Sequence, residues 1–225
     1  MYKLLSYKWY KGMVGWPGSM TYHVEPVKMI EKGSASNTFK IEYYNHLGTH
    51  FDAPKHFCKD GLAISELPID RFVFEAPLLI DVPFKNKELI EVGNLEKFES
   101  QILECDLLLI RTGYEIFRKK DPEKYQCEGP GISPFLADWL VKKFKNLKAI
   151  GFDFISLSSF LFQEEGIKAH RILLGENKAN NKYINIIEDM VLERIEKDKL
   201  KRVFAFPILI EEIDSAPVTV LAEVW

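Results

Sequence analysis

Short apolar runs with polar ends recur along the chain and predict β-strands. Three of them suit interior strands that are buried on both faces of a sheet, at residues 77–82, 106–110 and 149–153. Residues 38–44 alternate polar and apolar side chains, as a half-buried strand does. Residues 204–210 predict a further strand, in which Pro207 favours an edge position or a bulge.

Helical signals lie between these runs. Ser133 and Pro134 predict a helix that continues to about Lys145, because serine is a good N-cap and proline suits the first helical position. Apolar residues at helical spacing follow: Phe135, Leu136, Trp139, Leu140 and Phe144. Asn94 is expected to cap a shorter helix that ends at Gln101, and residues 164–174 predict another. Strands and helices therefore mix, which predicts an α/β or α+β fold without deciding between them.

Composition predicts a single domain that spans residues 1–225. Hydrophobic residues make up 47% and charged residues 28% of the chain, the balance of an ordinary globular protein. The sequence contains no internal repeat, low-complexity tract or linker. The net charge of −3, without a basic stripe, argues against nucleic acid as a partner.

Membrane and disulfide signals are weak. The longest apolar run, residues 203–210, is far shorter than the roughly 20 residues that span a bilayer. The N-terminal residues have no apolar region or cleavage site of the kind that signal peptides carry. The three cysteines have unrelated spacings, which is not the pattern of a disulfide framework. We therefore expect a cytoplasmic protein with reduced thiols and no membrane partner.

Candidate chemistry concentrates in one segment. Three of the five histidines, His46, His50 and His56, lie close together, and Asp52 stands between them. A single histidine is more often an ordinary hydrogen-bonded residue, but imidazole and carboxylate together are the ligands of a zinc or manganese site. The cluster therefore predicts a divalent-metal site.

The spacing of these residues favours an extended segment that bends. Gly48 is a poor helix former, whereas in an extended chain residues 46, 50, 52 and 56 share one face. A straight strand of ten residues would stretch about 33 Å, too far for the ligands of one ion. We expect bends at Gly48 and Pro54, so that His50 and Asp52 converge directly and His46 folds back to join them.

Residues 46–56 also resemble the HxGTHxDxPxH signature of the cyclase family of metal-dependent hydrolases, which includes bacterial kynurenine formamidase and isatin hydrolase. Every fixed position of the signature matches. Similarity continues at residues 16–18, 109–113, 131–133, 151–153 and 206–218 and so covers most of the chain. The resemblance implies a mixed sheet that curls toward a barrel, flanked by helices, in homodimers or homotetramers.

The resemblance further implies roles for the matching residues. His46, His50 and Asp52 would bind the first metal ion, and Asp52 would bridge to a second. His56 would be the catalytic acid/base. Zinc is the first candidate metal and manganese the second, with one or two ions per chain.

Two later ligands are implied as well. His170 fits the family's histidine and Glu188 its glutamate, but the interval between them looks longer than in the formamidases. The extra length falls in the polar residues 177–182, which predict a surface loop. Glu176 and Asp189 therefore compete with Glu188 for the last position.

Other residues have simpler interpretations. Trp16 is either a packing residue or a wall of the substrate site. Asp153 ends an apolar strand and is interpreted as structural, holding the metal segment by hydrogen bonds. Arg111 is interpreted as a pairing residue, Cys58 as inert and His23 as a surface residue.

These observations lead to a functional hypothesis. A bound divalent ion lowers the pKa of its water from roughly 15.7 to about 7 and so supplies hydroxide at neutral pH. The resemblance implies a hydrolase whose small-molecule substrate is an aryl formamide such as N-formylkynurenine, and we expect His56 to move the proton to the leaving group. Opening of a cyclic amide such as isatin is the second candidate, and another cyclase-family reaction stays open. The non-enzyme alternative is a metal-stabilised binding protein, although structural zinc sites favour cysteine ligands.

Overall fold

The computed structural model of the chain describes residues 1–19, 22–84, 87–175 and 182–225. Its strands are β1 (Tyr2–Leu4), β2 (His23–Lys28), β3 (Thr38–Glu42), β4 (His50–Asp52), β5 (Val73–Phe74), β6 (Pro77–Asp81), β7 (Leu89–Ile90), β8 (Leu107–Arg111), β9 (Gly131–Ile132), β10 (Ala149–Phe152), β11 (Asn185–Glu188), β12 (Leu200–Pro207) and β13 (Ser215–Val224).

The α-helices are short and concentrate in the middle of the chain. They are α1 (Val92–Leu95), α2 (Glu99–Glu104), α3 (Ile116–Lys120), α4 (Pro122–Cys127), α5 (Pro134–Lys143) and α6 (Gln163–Leu174). Single turns of 3₁₀ helix occur at Ile30–Lys32, Pro54–His56, Ile64–Glu66, Ile69–Phe72, Glu96–Phe98 and Lys197–Lys199. Within the described stretches, no helix combines the length and the apolar character that crossing a bilayer would require.

Nine of the described strands form one mixed sheet. Its order is β5-β12-β13-β4-β11-β10-β8-β6, and β1 pairs with β13. β6, β8, β10 and β11 run parallel to one another, whereas β4 pairs antiparallel with both β11 and β13. The sheet curls until β6 approaches β12, so it forms a nearly closed barrel with helices outside it. The predicted mixed, curled sheet with flanking helices is confirmed.

The parallel strands are buried on both faces, as their continuous apolar runs predict. On β8, Leu107 and Leu109 face one apolar cluster, while Leu108 and Ile110 face the other. The first cluster includes Phe51 of β4, and the second includes Leu136 of α5. β4 is therefore held at the centre of the sheet, between paired strands and against the first apolar cluster.

The helix predictions have different outcomes. α5 begins at Pro134, and the Ser133 side chain accepts a hydrogen bond from the Leu136 backbone N–H, so this cap is confirmed. α6 matches the prediction for residues 164–174 within one residue. The prediction for Asn94 is wrong, because α1 begins two residues before Asn94. The Asn94 side chain instead accepts a hydrogen bond from the Glu91 backbone N–H.

Residues 38–44 do contain a strand, but the expected half-burial is wrong. Among the described strands, β3 pairs only with β2, and every residue of both strands is exposed. The alternating polar and apolar residues give β3 an apolar face, but the pattern does not determine whether another element packs against that face. The strand predicted at residues 204–210 is β12, which begins earlier, at Leu200, and ends at Pro207. Pro207 lies beyond the residues of β12 that pair with β5.

Candidate metal centre

The signature segment bends where its glycine stands. Gly48 has a φ of 65°, in the left-handed region that glycine adopts at little cost. A Cβ atom at this position would lie 2.8 Å from Met13 Cε and 2.9 Å from Trp9 Nε1, so a side chain here would have to displace these neighbours. β4 then carries only three residues before the 3₁₀ turn Pro54–His56. The bends expected at Gly48 and Pro54 are confirmed.

Side chains from β4 and β11 meet at the centre of the sheet. Glu188 stands opposite His50 in the strand register, and its Oε2 lies 3.3 Å from His50 Nε2. Asp52 Oδ1 lies 3.6 Å from the same nitrogen. The turn at Gly48 returns His46 to this point, with its Nδ1 3.2 Å from Asp52 Oδ1.

Two more histidines complete the cluster. His170, on α6, places its Nε2 3.4 Å from Glu188 Oε1. The His56 ring lies 4.1 Å from the His46 ring and 5.6 Å from the His170 ring, measured between centroids. The structure therefore gathers the five predicted metal ligands and the predicted acid/base around one point.

Within the described part of the chain, two sets of side chains have the geometry to hold an ion. One set is His46, Asp52 and His56, and the other is His50, Asp52 and Glu188; within each set the ligand atoms lie within 4.8 Å of one another. Both sets share Asp52, the residue expected to bridge. The division differs from the one that the resemblance implies, in which His46 and His50 bind the same ion.

Unpaired polar atoms at the cluster fit a cation. Among the described side chains, His50 Nε2 and both carboxylate oxygens of Asp52 are buried without a hydrogen-bond partner. Burying such groups unpaired is costly, and a divalent ion would satisfy all three atoms. Imidazole and carboxylate ligands suit zinc or manganese.

The other ring nitrogens of two histidines are already engaged. His50 Nδ1 lies 2.8 Å from the Gly48 carbonyl, and His170 Nδ1 lies 2.9 Å from the Gly166 carbonyl. Because a carbonyl only accepts, each Nδ1 must donate, which leaves both Nε2 atoms unprotonated in the neutral rings. This arrangement is typical of metal-binding histidines.

Charge interactions in the cluster oppose the effect of burial. Burial alone would raise the pKa of Asp52, but the neighbouring His56, His50 and His46 hold that pKa well below its usual range. Burial likewise acts on Glu188, whose pKa is nevertheless lowered to about 2 by the adjacent imidazoles. Both carboxylates are therefore ionised at neutral pH.

The pKa values of His46 and His50 shift upward, opposite to those of the carboxylates. Burial disfavours the charged form of His46, yet Asp52 and Asp214 together raise its pKa to about 10. The pKa of His50 is raised too, against burial, by Asp52 and Glu188. In the metal-free protein His46 therefore holds a proton that a divalent cation would displace.

A cavity of about 270 Å³ opens onto the cluster. Aromatic residues form part of its wall: Trp16, Tyr44 and Phe57. Phe57 stacks on His170 with 4.6 Å between ring centroids, and Trp16 packs against Phe160 at 5.9 Å. A cavity of about 150 Å³ is enough to hold benzene, so an aryl ring fits here. Trp16 is thus both a packing residue and a cavity wall.

The structure distinguishes between the candidates for the last metal ligand. Glu188 points into the cluster, whereas the Asp189 carboxylate is bound by Arg118 and Tyr125. Glu176 and most of the loop predicted at residues 177–182 lie outside the described residues. Of the described candidates, Glu188 alone has the required position.

Asp153 is structural, but it holds a different segment from the one expected. Its carboxylate accepts hydrogen bonds from the backbone N–H groups of Thr112 and Gly113 and from the Thr112 hydroxyl. These residues follow β8, so Asp153 stabilises that turn and not the signature segment. The prediction that it holds the metal segment is wrong, because β10 and β8 are adjacent parallel strands whose ends coincide.

The interpretations of Arg111 and His23 agree with the structure, and that of Cys58 stays a prediction. Arg111 Nε lies 2.6 Å from Asp81 Oδ1, which makes Arg111 a pairing residue. Cys58 is half-buried and its Sγ contacts the Leu174 carbonyl at 3.3 Å. His23 is exposed on β2.

Asp214 is a residue of the cluster that sequence reasoning missed. Its Oδ2 lies 2.7 Å from His56 Nδ1 and 2.9 Å from His46 Nε2, and its Oδ1 accepts a hydrogen bond from Asn45 at 2.7 Å. Burial raises its pKa, but the two imidazoles hold that pKa well below the usual range. The only signal was its place just before residues 215–217, inside a segment of family resemblance.

Comparisons with known proteins find relatives that match most of the chain. A family model described as Putative cyclase matches residues 4–159. Kynurenine formamidase from Bacillus anthracis is 30% identical over 203 residues, which cover 90% of this chain and 88% of that protein.

Solved structures share the fold. Isatin hydrolase A from Labrenzia aggregata, bound to benzyl benzoate, superposes with a TM-score of 0.81 at 19% identity, over 100% of this chain and 93% of the other. A structure described as a predicted metal-dependent hydrolase from Bacillus stearothermophilus has a TM-score of 0.76 at 22% identity, over 99% and 97% of the two chains.

Proposed function

This chain belongs to the putative cyclase family of hydrolases, and we propose that it is a metal-dependent amidohydrolase that cleaves an aryl formamide to formate and a free arylamine. The observation that carries the proposal is the set of unpaired buried atoms on His50 and Asp52, beside an aromatic-walled cavity that His50 lines. The similarity to kynurenine formamidase supports the substrate class.

The metal would be held by His46, His50, Asp52, His170 and Glu188. Zinc is the first choice and manganese the second, with one ion or two sharing Asp52. When bound, a divalent ion supplies a Lewis acid and lowers the pKa of water. The chain's own contribution is to keep these side chains buried and oriented before the ion arrives.

His56 is the proposed proton-transfer residue. Its ring lines the cavity, and its Nδ1 is engaged by Asp214. In the hydrolysis, oxygen from water bonds to the formyl carbon and the carbon–nitrogen bond breaks. His56 takes one proton from the water and passes it to the departing amine nitrogen.

His56 also belongs geometrically to one set of possible ligands, so its role needs a direct test. We expect H56A to keep the metal content of the wild type while formate release from N-formylkynurenine falls by about 10²-fold or more. Loss of metal from H56A would make His56 a ligand. Retained metal with unchanged turnover would exclude His56 as the proton-transfer residue. A wild type that binds metal but releases no formate would favour the non-enzyme alternative, a metal-stabilised binding protein.

The substrate proposal is tested by comparing two compounds. Formate release from N-formylkynurenine should exceed ring opening of isatin in kcat/KM. The isatin reaction is the second candidate because isatin hydrolase A has the same fold. A higher kcat/KM for isatin would replace the formamide with a cyclic amide and leave the site assignment unchanged.

We also propose that the protein is a homodimer. In the β2–β3 hairpin, Val24 pairs with Ile41 and Pro26 with Phe39, so one face of an exposed two-stranded ribbon is apolar. Such a ribbon is marginal on its own, and a second copy would cover it. Sedimentation should give a dimer for the wild type and for the charged-face variant K40S, and a monomer for F39E. A monomeric wild type would refute the proposal, and a mass of four chains would favour the tetramer.

A further inference from the structure

One carboxylate oxygen joins two histidines of the cluster. Asp214 Oδ2 lies 2.7 Å from His56 Nδ1 and 2.9 Å from His46 Nε2. The other oxygen, Oδ1, accepts a hydrogen bond from Asn45 Nδ2 at 2.7 Å. The carboxylate is therefore fixed at both ends, by the residue before the signature on one side and by two signature histidines on the other.

The chemistry of a carboxylate decides where the ring protons lie. An ionised carboxylate can only accept hydrogen bonds, so each ring nitrogen that faces Oδ2 must donate. A neutral imidazole carries a single ring proton. Asp214 therefore leaves Nε2 of His56 and Nδ1 of His46 unprotonated in the neutral rings.

Each of these free nitrogens has a use. His46 Nδ1 is the atom that faces Asp52 Oδ1 at 3.2 Å, where an ion would be held. His56 Nε2 is the nitrogen left for proton transfer in the cavity that His56 lines. The same oxygen thus prepares one histidine as a ligand and the other as a base.

We propose that Asp214 is a positioning residue that fixes the tautomers of His56 and His46 together. The inference rests on the proposed function for the role of His56, but the tautomers themselves can be measured without turnover. Carboxylates that orient a catalytic or metal-binding imidazole act in this way in other enzymes.

The variant D214N gives the sharpest test. Asn45 donates to Oδ1, so in D214N the amide oxygen is retained there and the NH₂ group faces the two imidazoles. An NH₂ group donates, and it therefore favours the tautomer of His56 with its proton on Nε2. The shape of the side chain is conserved, which separates this effect from loss of packing.

The measurement is a two-bond ¹⁵N–¹H correlation spectrum of zinc-loaded protein with ¹⁵N-labelled histidine, in which H56A identifies the His56 signals. We expect the proton on Nδ1 in the wild type and on Nε2 in D214N. D138N, which changes an exposed aspartate on α5, is the matched control and should give the wild-type spectrum. A wild-type His56 protonated on Nε2 would overturn the proposal, even if D214N does not fold.

Turnover provides the second readout. In D214N, kcat for a formanilide should fall by about 10–100-fold, measured with excess zinc because the ligand role of His46 predicts a weaker zinc affinity as well. The loss should be smaller for 4-nitrophenyl formate, because its phenolate leaves without a proton. Equal losses for both substrates would confine the role of Asp214 to the proton that His56 takes from the water, and a wild-type kcat of D214N for both would overturn the positioning role. If the tautomer changes as expected but the wild type cleaves no formamide, the positioning role stands and the proposed function fails.

Discussion

Arg118 and Asp189 form a buried ion pair beside the candidate metal centre. Arg118 Nη2 lies 2.9 Å from Asp189 Oδ2, and both side chains are 3% exposed. Asp189 directly follows Glu188 and has a φ of 52°, a conformation uncommon outside glycine. The pair therefore holds the backbone in the conformation that turns Asp189 away and leaves Glu188 in the cluster.

Removing the cation should be costly. We expect R118M to lower the free energy of unfolding by about 3–5 kcal/mol, because Asp189 is left buried without its partner. Urea denaturation measures the change. K142M is the control, since Lys142 pairs with Asp138 on an exposed helix face and should change stability by no more than about 0.5 kcal/mol. Similar losses in both variants would contradict the structural role of the buried pair.

Gly48 should tolerate no side chain. We expect G48A to lose about 1–2 kcal/mol from its left-handed backbone, and more from the contact of the new Cβ with Met13. G12A isolates the first effect, because Gly12 has a φ of 77° and its new Cβ would meet no described atom within 4 Å. Thermal unfolding should place G48A below G12A, and zinc affinity should fall in G48A alone. Equal stability of the two variants would show that the crowding has no effect.

Metal uptake should release protons. In the metal-free protein the pKa of His46 is raised to about 10 from its ordinary 6.5, so His46 is protonated at pH 7 and must lose that proton to become a ligand. Apparent zinc affinity should therefore rise with pH between about 6 and 8. Calorimetric titrations in buffers of different ionisation enthalpy count the protons, and H46A should release about one fewer. Zinc binding without proton release would contradict this charge state.

Trp16 should contribute to substrate binding more than to chemistry. We expect W16A to raise KM for N-formylkynurenine by about 3–10-fold, which corresponds to the loss of one aromatic contact, and to leave kcat little changed. W225A is the control, because Trp225 is 76% exposed and does not line the cavity. A large fall in kcat with unchanged KM would instead connect Trp16 to the reacting groups.

Local parts of the site could be predicted from sequence, because residues 46–56 are close enough for spacing alone to bring their side chains together. Asp214 could not be, since it is 158 residues from His56 and meets it only through the pairing of β13 with β4. The choice between Glu188 and Asp189 likewise depends on the register that sets Glu188 opposite His50.

For the fold, too, local features could be predicted from sequence and long-range ones could not. Continuous apolar runs predicted β6, β8 and β10, because burial on both faces leaves a clear pattern in each strand. For β3, alternation indicates which side chains share a face but carries no information about what covers that face. Asp153 was assigned to the wrong segment for a related reason, since the neighbour of a strand end is set by sheet order.

The central claim is that a divalent metal, held by this cluster, supports hydrolysis. The most direct measurement is the metal content of purified protein by mass spectrometry, together with formate release from N-formylkynurenine before and after chelation. We predict one or two divalent ions per chain, activity that is lost with the chelator and restored by zinc or manganese, and low metal content in D52N but not in D138N. Wild-type protein that retains neither zinc nor manganese after incubation with both, or hydrolysis that continues undiminished in the chelator, would contradict the claim.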